Sequence, residues 1–143
     1  MKALVAYESK TGHTQQAAEA IGDALRRMDV EAAVKPIAEV KSADVQLADV
    51  LFIGTWVQGH FIFNVKPAGA SKWVSSLPSL RGKPVGVFCT YLFSPRGALQ
   101  VLSGMLESRG AKPRGERAFR RSRPADGAEE FVREVLDSAS AAF

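Results

Sequence analysis

Residues 9 to 14 read Ser-Lys-Thr-Gly-His-Thr, three hydroxyls and a glycine in six positions, directly after the apolar run Ala3 to Tyr7. From Thr14 onward Ala18, Ile21, Leu25 and Met28 recur at the spacing of an amphipathic helix. The start of a helix presents amides without intrahelical partners and the positive end of the macrodipole, so it favours an anion even without a lysine. Ser9, Thr11 and Thr14 add hydroxyl donors, and Gly12 lets the backbone approach a ligand closely. Neither the dinucleotide fingerprint G-x-G-x-x-G nor the loop G-x-x-x-x-G-K-[ST] is present. A terminal monophosphate, held by hydroxyls and amides, suits what remains. The competing reading is an ordinary polar turn with an N-cap at His13 or Thr14.

Other chemistry is thinly represented. No G-x-S-x-G elbow exists, and His13 and His60 have no convincing serine or cysteine partner, so nucleophilic hydrolysis is excluded. The single cysteine, Cys89, can form neither an intrachain disulfide nor a thiolate cluster; it is expected to be a small core residue in a protein of the reducing cytoplasm. No stretch reaches the length of a membrane span or has the layout of a signal peptide.

The elements that must position these residues alternate. Lys2–Tyr7 is a short apolar strand; Val30–Ile37 reads as an edge-like strand, and a short helical piece lies around Ser42–Leu47. Val50–Gly54 is apolar on both faces, as in a buried parallel strand. Pro67 suits a first helical turn, with Ala70, Trp73, Val74 and Leu77 on one face after it. Pro84–Cys89 is the next strand, interrupted by Gly86. Ser94-Pro95 then offers an N-cap and a first helical position before Leu99, Leu102 and Leu106, with Gly110 as the stop. Lys112–Arg121 reads as a charged strand. Asp126 and Glu129 look like a capping pair before Phe131, Val132, Val135 and Leu136, and the tail from Ser138 is expected to fray. At 143 residues this makes one α/β domain, residues 1–143, with a doubly wound five-stranded parallel sheet. In such sheets ligands sit beyond the carboxyl ends of the strands where the order reverses, which singles out the loops after Tyr7, Gly54 and Cys89.

The segment "VAYESKTGHTQQAA" resembles the N-terminal signature of the flavodoxins, and the likeness runs over essentially the whole chain in its short-chain form. The resemblance implies strand order 2-1-3-4-5 and flavin mononucleotide (FMN) as cofactor, its phosphate wrapped by Ser9, Lys10, Thr11, Gly12, His13 and Thr14. It also implies that Thr55, Trp56, Val57, Gln58 and Gly59 in the second loop, and Thr90, Tyr91 and Phe93 in the third, surround the flavin ring. A flavin ring needs flat apolar walls and backbone polar groups along its edge. Trp56 and Tyr91 are the candidate walls, with Phe93 as the alternative to Tyr91 and a core-capping staple as the alternative role for Trp56. The Gln58–Gly59 peptide is the candidate for the family's turnover of a peptide carbonyl toward the reduced ring; a plain turn glycine is the alternative.

The chain departs from the family in its charge. Between Asp49 and Glu107 there is no acid at all, while Lys66, Lys72, Arg81, Lys83 and Arg96 fall inside; the carboxylates usual around a flavodoxin ring are missing. From Arg109 to Arg123 seven basic residues face one acid, giving that stretch +6 within a net +4. A charged edge strand that resists sheet-to-sheet pairing is the first explanation, an acidic redox partner the second and nucleic acid a distant third. The apolar run Phe61-Ile62-Phe63 beside His60 is either a docking patch, a dimer contact or a tucked lid. A response regulator shares the sheet order but needs paired carboxylates after strand one and an aspartate after strand three; Glu8 stands alone and Gly54-Thr55 occupies the other position. Three functions remain: an electron shuttle between redox proteins, a small FMN-dependent oxidoreductase of quinone or protoporphyrinogen type, and a flavin-free interaction module. The shuttle is favoured, with neither nucleic acid nor a membrane as partner.

Overall fold

The computed structural model describes residues 1–58, 66–67, 70–92, 94–95 and 97–141. Its elements are β1 (Lys2–Tyr7), α1 (His13–Arg27), β2 (Glu31–Pro36), α2 (Ser42–Leu47), β3 (Val50–Gln58), β4 (Lys66–Pro67), α3 (Ala70–Ser76), β5 (Pro84–Tyr91), α4 (Ala98–Glu107), β6 (Lys112–Arg120) and α5 (Ala128–Ala141). The parallel strands lie in the order β2-β1-β3-β5-β6. Counted without β4, that is the expected 2-1-3-4-5. β4 is a two-residue antiparallel addition to the far end of β3, pairing Val57 with Pro67 and Gln58 with Lys66.

The period of two in each strand divides its side chains between two cores. Ala3, Val5 and Tyr7 of β1 and Val50 and Phe52 of β3 face α1 and α5, where they meet Ile21, Leu25, Phe131 and Val135. Leu4, Ala6, Leu51 and Ile53 turn the other way, against Val45, Val74, Leu102 and Leu106 of α2, α3 and α4 and Leu77 just after α3. On the first side Phe52, Phe88, Phe119 and Phe131 pack edge to face, with centroids 5.6 to 6.4 Å apart. Gly54 stands opposite Phe88 in register, and the phenyl ring fills the space that a Cβ at 54 would need.

Several boundaries differ from the sequence expectation. β3 does not stop at Gly54 but runs to Gln58, so Trp56 and Val57 are strand residues. Pro67 lies in β4 rather than in a first helical turn, at the edge where a missing N–H costs no ladder bond. Ser94-Pro95 does not open α4. The Pro95 carbonyl instead accepts from the Ala98 N–H at 3.0 Å in a preceding turn, and Gly97 takes the N-cap position. Asp126 does not cap with Glu129: Asp126 pairs with Arg123 at 3.7 Å and Glu129 with Arg133 at 2.7 Å. The tail stays helical to Ala141 because Ala139 is buried.

The helix ends follow a shared physical rule. Gly110 (φ 93) closes α4, with the Gly110 N–H on the Glu107 carbonyl at 2.9 Å and the Ala111 N–H on Leu106 at 3.1 Å. α1 ends the same way, but with Asp29 (φ 60) in the left-handed position and Val30 donating to Leu25 at 3.0 Å. At the other edge of the sheet, β6 carries Pro113 and a bulge. The register steps from Val85–Pro113 to Gly86–Gly115, leaving Arg114 as the extra residue. Together with its charges these features make β6 a guarded edge, in line with the first explanation of the basic segment. Among the described residues no helix is long and apolar enough to cross a membrane.

Candidate functional site

β1 has β2 on one side and β3 on the other, and its chain continues into the start of α1; this is the point where the strand order reverses. The turn between them is fixed from below by the Glu8 N–H, which donates to the Gly54 carbonyl at 3.0 Å. Gly12 adopts φ 93 and is the N-cap residue of α1, a conformation that favours glycine. Its N–H donates to Ser9 Oγ at 3.0 Å and its carbonyl accepts from the Gln16 N–H at 3.0 Å. A Cβ at Gly12 would meet nothing within 4 Å, so the face of this turn is open. No side chain caps the helix, which leaves first-turn amides without an intrahelical partner beside that opening.

Two threonines from two elements meet behind the turn. Thr14 Oγ1 and Thr90 Oγ1 share a hydrogen bond at 2.7 Å although both residues are almost wholly buried (1% and 0% exposed), tying α1 to β5. Thr55 is equally buried and its Oγ1 has no partner, but it shares the face of Ile53, Val57 and Cys89, on the side of the sheet away from α1. Thr11 Oγ1 lies 2.7 Å from His13 Nδ1 on the exposed side of the turn.

Trp56 pairs with Thr90 in register and is partly buried. The Lys10 ammonium stands 5.1 Å from its ring centroid. Tyr91 ends β5, also partly buried, with the Arg120 guanidinium 5.6 Å above its ring. The Arg121 N–H donates to the Tyr91 carbonyl at 2.9 Å, and its guanidinium reaches back to the Val57 carbonyl at 3.4 Å, a long bond. Val57 itself is core, packed with Cys89 and Ala98. Burial, with Glu116 adding to it, pushes the Cys89 thiol up to about 12, so it is neutral and inert at neutral pH.

The sequence-named residues therefore converge: Ser9 with Gly12, Thr11 with His13, Thr14 with Thr90, and Lys10 with Trp56. Of Gln58 the backbone pairing with Lys66 is defined. Gly59, Phe93, the run 60–63 and Arg96 lie outside the described residues. Sequence reasoning missed Arg120 and Arg121 as neighbours of Tyr91. Their signal was present in the basic segment, but only the pairing of β6 with β5 brings its carboxyl end beside Tyr91.

Residues 4–100 match the family model described as a flavodoxin domain. Comparison with curated protein sequences gives no match. Among solved structures, the chain is similar to a flavodoxin from the domain Archaea, with 24% identity, 99% of this chain and 98% of that one covered, and a TM-score of 0.72. Two-electron reduced Megasphaera elsdenii flavodoxin is 24% identical over 96% of this chain and 98% of that one, with a TM-score of 0.76. Oxidised Flavodoxin 2 from Bacillus cereus is 20% identical over 96% and 99%, with a TM-score of 0.72. These structural likenesses speak for the fold, and the family match covers well over half of the sequence. The chain belongs to the flavodoxin-domain family.

Proposed function

We propose that this protein binds FMN at the opening of α1 and carries electrons between redox partner proteins. The observation that carries the reading is the start of α1: an uncapped helix at the reversal of strand order, opened by a left-handed glycine with free space beside it. That donor set fits a dianionic phosphate. In this reading the phosphate is held by the amides and hydroxyls of Ser9, Thr11, Gly12, His13 and Thr14, with Lys10 lending charge. Trp56 and Tyr91 flank the ring, the backbone of Thr55 to Gly59 lies along its edge, and Thr90 and Phe93 complete the third loop. When bound, FMN supplies the redox chemistry, and the chain's residues position it, exclude water and set its electrostatic surroundings. The arginines at the carboxyl end of β6 suit a partner with an acidic face.

Freshly purified protein is expected to be yellow and to release FMN on denaturation. Thr11→Val/Thr14→Val is expected to weaken FMN binding at least about a hundredfold in an isothermal titration, since each hydrogen bond to a charged group contributes about 1.5–3 kcal/mol. Colourless protein that takes up no added FMN, or undiminished affinity in the double variant, removes the assignment. Fast reduction by NADPH without any reductase would replace the shuttle with an enzyme.

A further inference from the structure

β2 and β6 are the two edges of the parallel sheet, and they are protected unequally. β6 carries a proline, a bulge and a run of cations, whereas β2 pairs with β1 in unbroken register from Glu31 to Pro36. The direction of each backbone group on β2 is settled by its bonds. The Glu31 N–H donates to the Met1 carbonyl at 3.2 Å, so Glu31, Ala33 and Lys35 turn their amides toward β1. Ala32 and Val34 turn theirs outward, and the Ala32 carbonyl accepts from the Arg26 guanidinium at 3.1 Å. Among the described residues neither outward N–H has an acceptor. The side chains alternate as well. Ala32 and Val34 pack toward α1, while Glu31, Ala33 and Lys35 lie on the α2 face, where Lys35 meets Asp44 at 3.0 Å and Glu31 meets Lys2 at 4.0 Å. Leu47, 65% exposed, lines a shallow cavity of about 180 Å³ with Glu31, Ala33 and Asp44, so apolar surface beside this edge is uncovered.

We propose that β2 pairs antiparallel with β2 of a second copy of this chain, about a two-fold axis at Ala33, joining the two sheets into one. In such a ladder an outward residue must face an outward one, and only the register centred on Ala33 lets every facing pair exchange both bonds. Ala32 then faces Val34 of the second copy. A register centred on Val34 sets Ala32 against Pro36, which has no N–H; one centred on Ala32 sets Val34 against Val30, whose N–H is held by the Leu25 carbonyl at 3.0 Å. The register at Ala33 also places Glu31 opposite Lys35 of the second copy, once on each side of the axis. With Asp44 and Lys2 beside them, the charges across the junction run Asp44, Lys35, Glu31, Lys2, alternating in sign. This self-complementarity is what a two-fold junction requires, and it singles out a second copy over a foreign strand. Arg26 is the guard at this edge, but its side chain is half exposed and already bonded to Asp23, and the Ala32 carbonyl keeps a second lone pair. No residue named for the cofactor lies on β2, so the junction stands or falls independently of the FMN reading.

Sedimentation equilibrium of the full chain at about 50 mM salt is expected to show the mass rising from one chain to two between about 1 and 500 µM, the weak range of a small junction. Over the same series, amide hydrogen exchange is expected to slow at least about threefold at Ala32 and Val34, with little change at Glu31, Ala33 and Lys35, which β1 already protects. Glu31→Lys and Lys35→Glu are each expected to weaken the dimer at least about tenfold. Their equimolar mixture is expected to regain it as a heterodimer, since every facing charge pair is then opposite again. Should Lys35→Glu fail to fold without its bond to Asp44, Glu31→Lys, a change at an exposed side chain, still decides. A single-chain mass at about 500 µM would leave the edge to a foreign strand or to solvent and overturn the proposal. Association that leaves the Ala32 and Val34 amides exchanging freely, a Glu31→Lys variant that dimerises like the parent, or folded variants whose mixture stays monomeric overturns it equally.

Discussion

Asp29 and Cys89 show how single residues carry measurable consequences. Asp29 holds the left-handed position that ends α1, φ 60, where glycine pays no steric penalty, and its exposed carboxylate lies at the negative end of the helix dipole. Asp29→Gly is therefore expected to stabilise the fold by about 0.5–1 kcal/mol, raising the melting temperature by about 2–5 °C in a thermal scan. Cys89 argues in the opposite direction through pH. In the unfolded chain its thiol ionises around 9.0, in the folded chain only near 12. Below that lower value both states keep the proton and the group has no effect; above it the unfolded state sheds a proton that the folded state retains, so stability falls as pH rises. The loss approaches about 1.4 kcal/mol per pH unit across this window. Urea titrations of the parent and Cys89→Ala at increasing alkaline pH are expected to diverge above 9.0, the parent falling more steeply. The native thiol should also resist alkylation at neutral pH.

At the scale of elements, the aromatic quartet joins helix to sheet. Phe131 of α5 meets Phe52, Phe88 and Phe119 at 5.6, 6.4 and 6.0 Å, so one side chain couples α5 to β3, β5 and β6. Phe131→Ala is expected to cost about 3–5 kcal/mol, read as a lowered midpoint in urea with an unchanged slope. This part of the fold was legible in the sequence because burial imposes periodicity: Ile21 and Leu25 of α1, Leu102 and Leu106 of α4, and Phe131, Val132 and Val135 of α5 all occupy their expected faces. The turn that opens α1 was legible too, since the residue types of 9–14 and their placement after β1 carry that signal. What escaped was decided by distant partners. β3 extends to Gln58 because β5 and β4 offer it hydrogen bonds, which no local pattern reveals. Ser94-Pro95 has the composition of a helix start, yet the turn from Pro95 to Ala98 delays α4. The Thr14–Thr90 bond joins residues 76 positions apart, and neither has a local reason to be buried.

Across the whole molecule, charge distinguishes this chain from an acidic flavodoxin. It carries +4, has no acid between Asp49 and Glu107, and sets Lys10 over Trp56 and Arg120 over Tyr91, one cation on each candidate ring wall. Adding the second electron to a bound flavin would build negative charge between those walls, and cations there lower its cost. At a surface-like dielectric a unit charge several ångströms away contributes on the order of 1 kcal/mol, so the effect of several cations exceeds that of any single hydrogen bond to the ring edge. The potential of the second electron is therefore expected to be less negative than in an acidic-faced relative. Lys10→Glu and Arg120→Glu are each expected to lower it, by roughly 2 kcal/mol per reversal because two unit charges change. Raising the salt should shrink both shifts, since these side chains are exposed to screening. A spectroelectrochemical titration of the parent and the two variants at low and high ionic strength measures this directly. Equal potentials in all three, or shifts that ignore salt, would show that the ring is insulated from its charged walls.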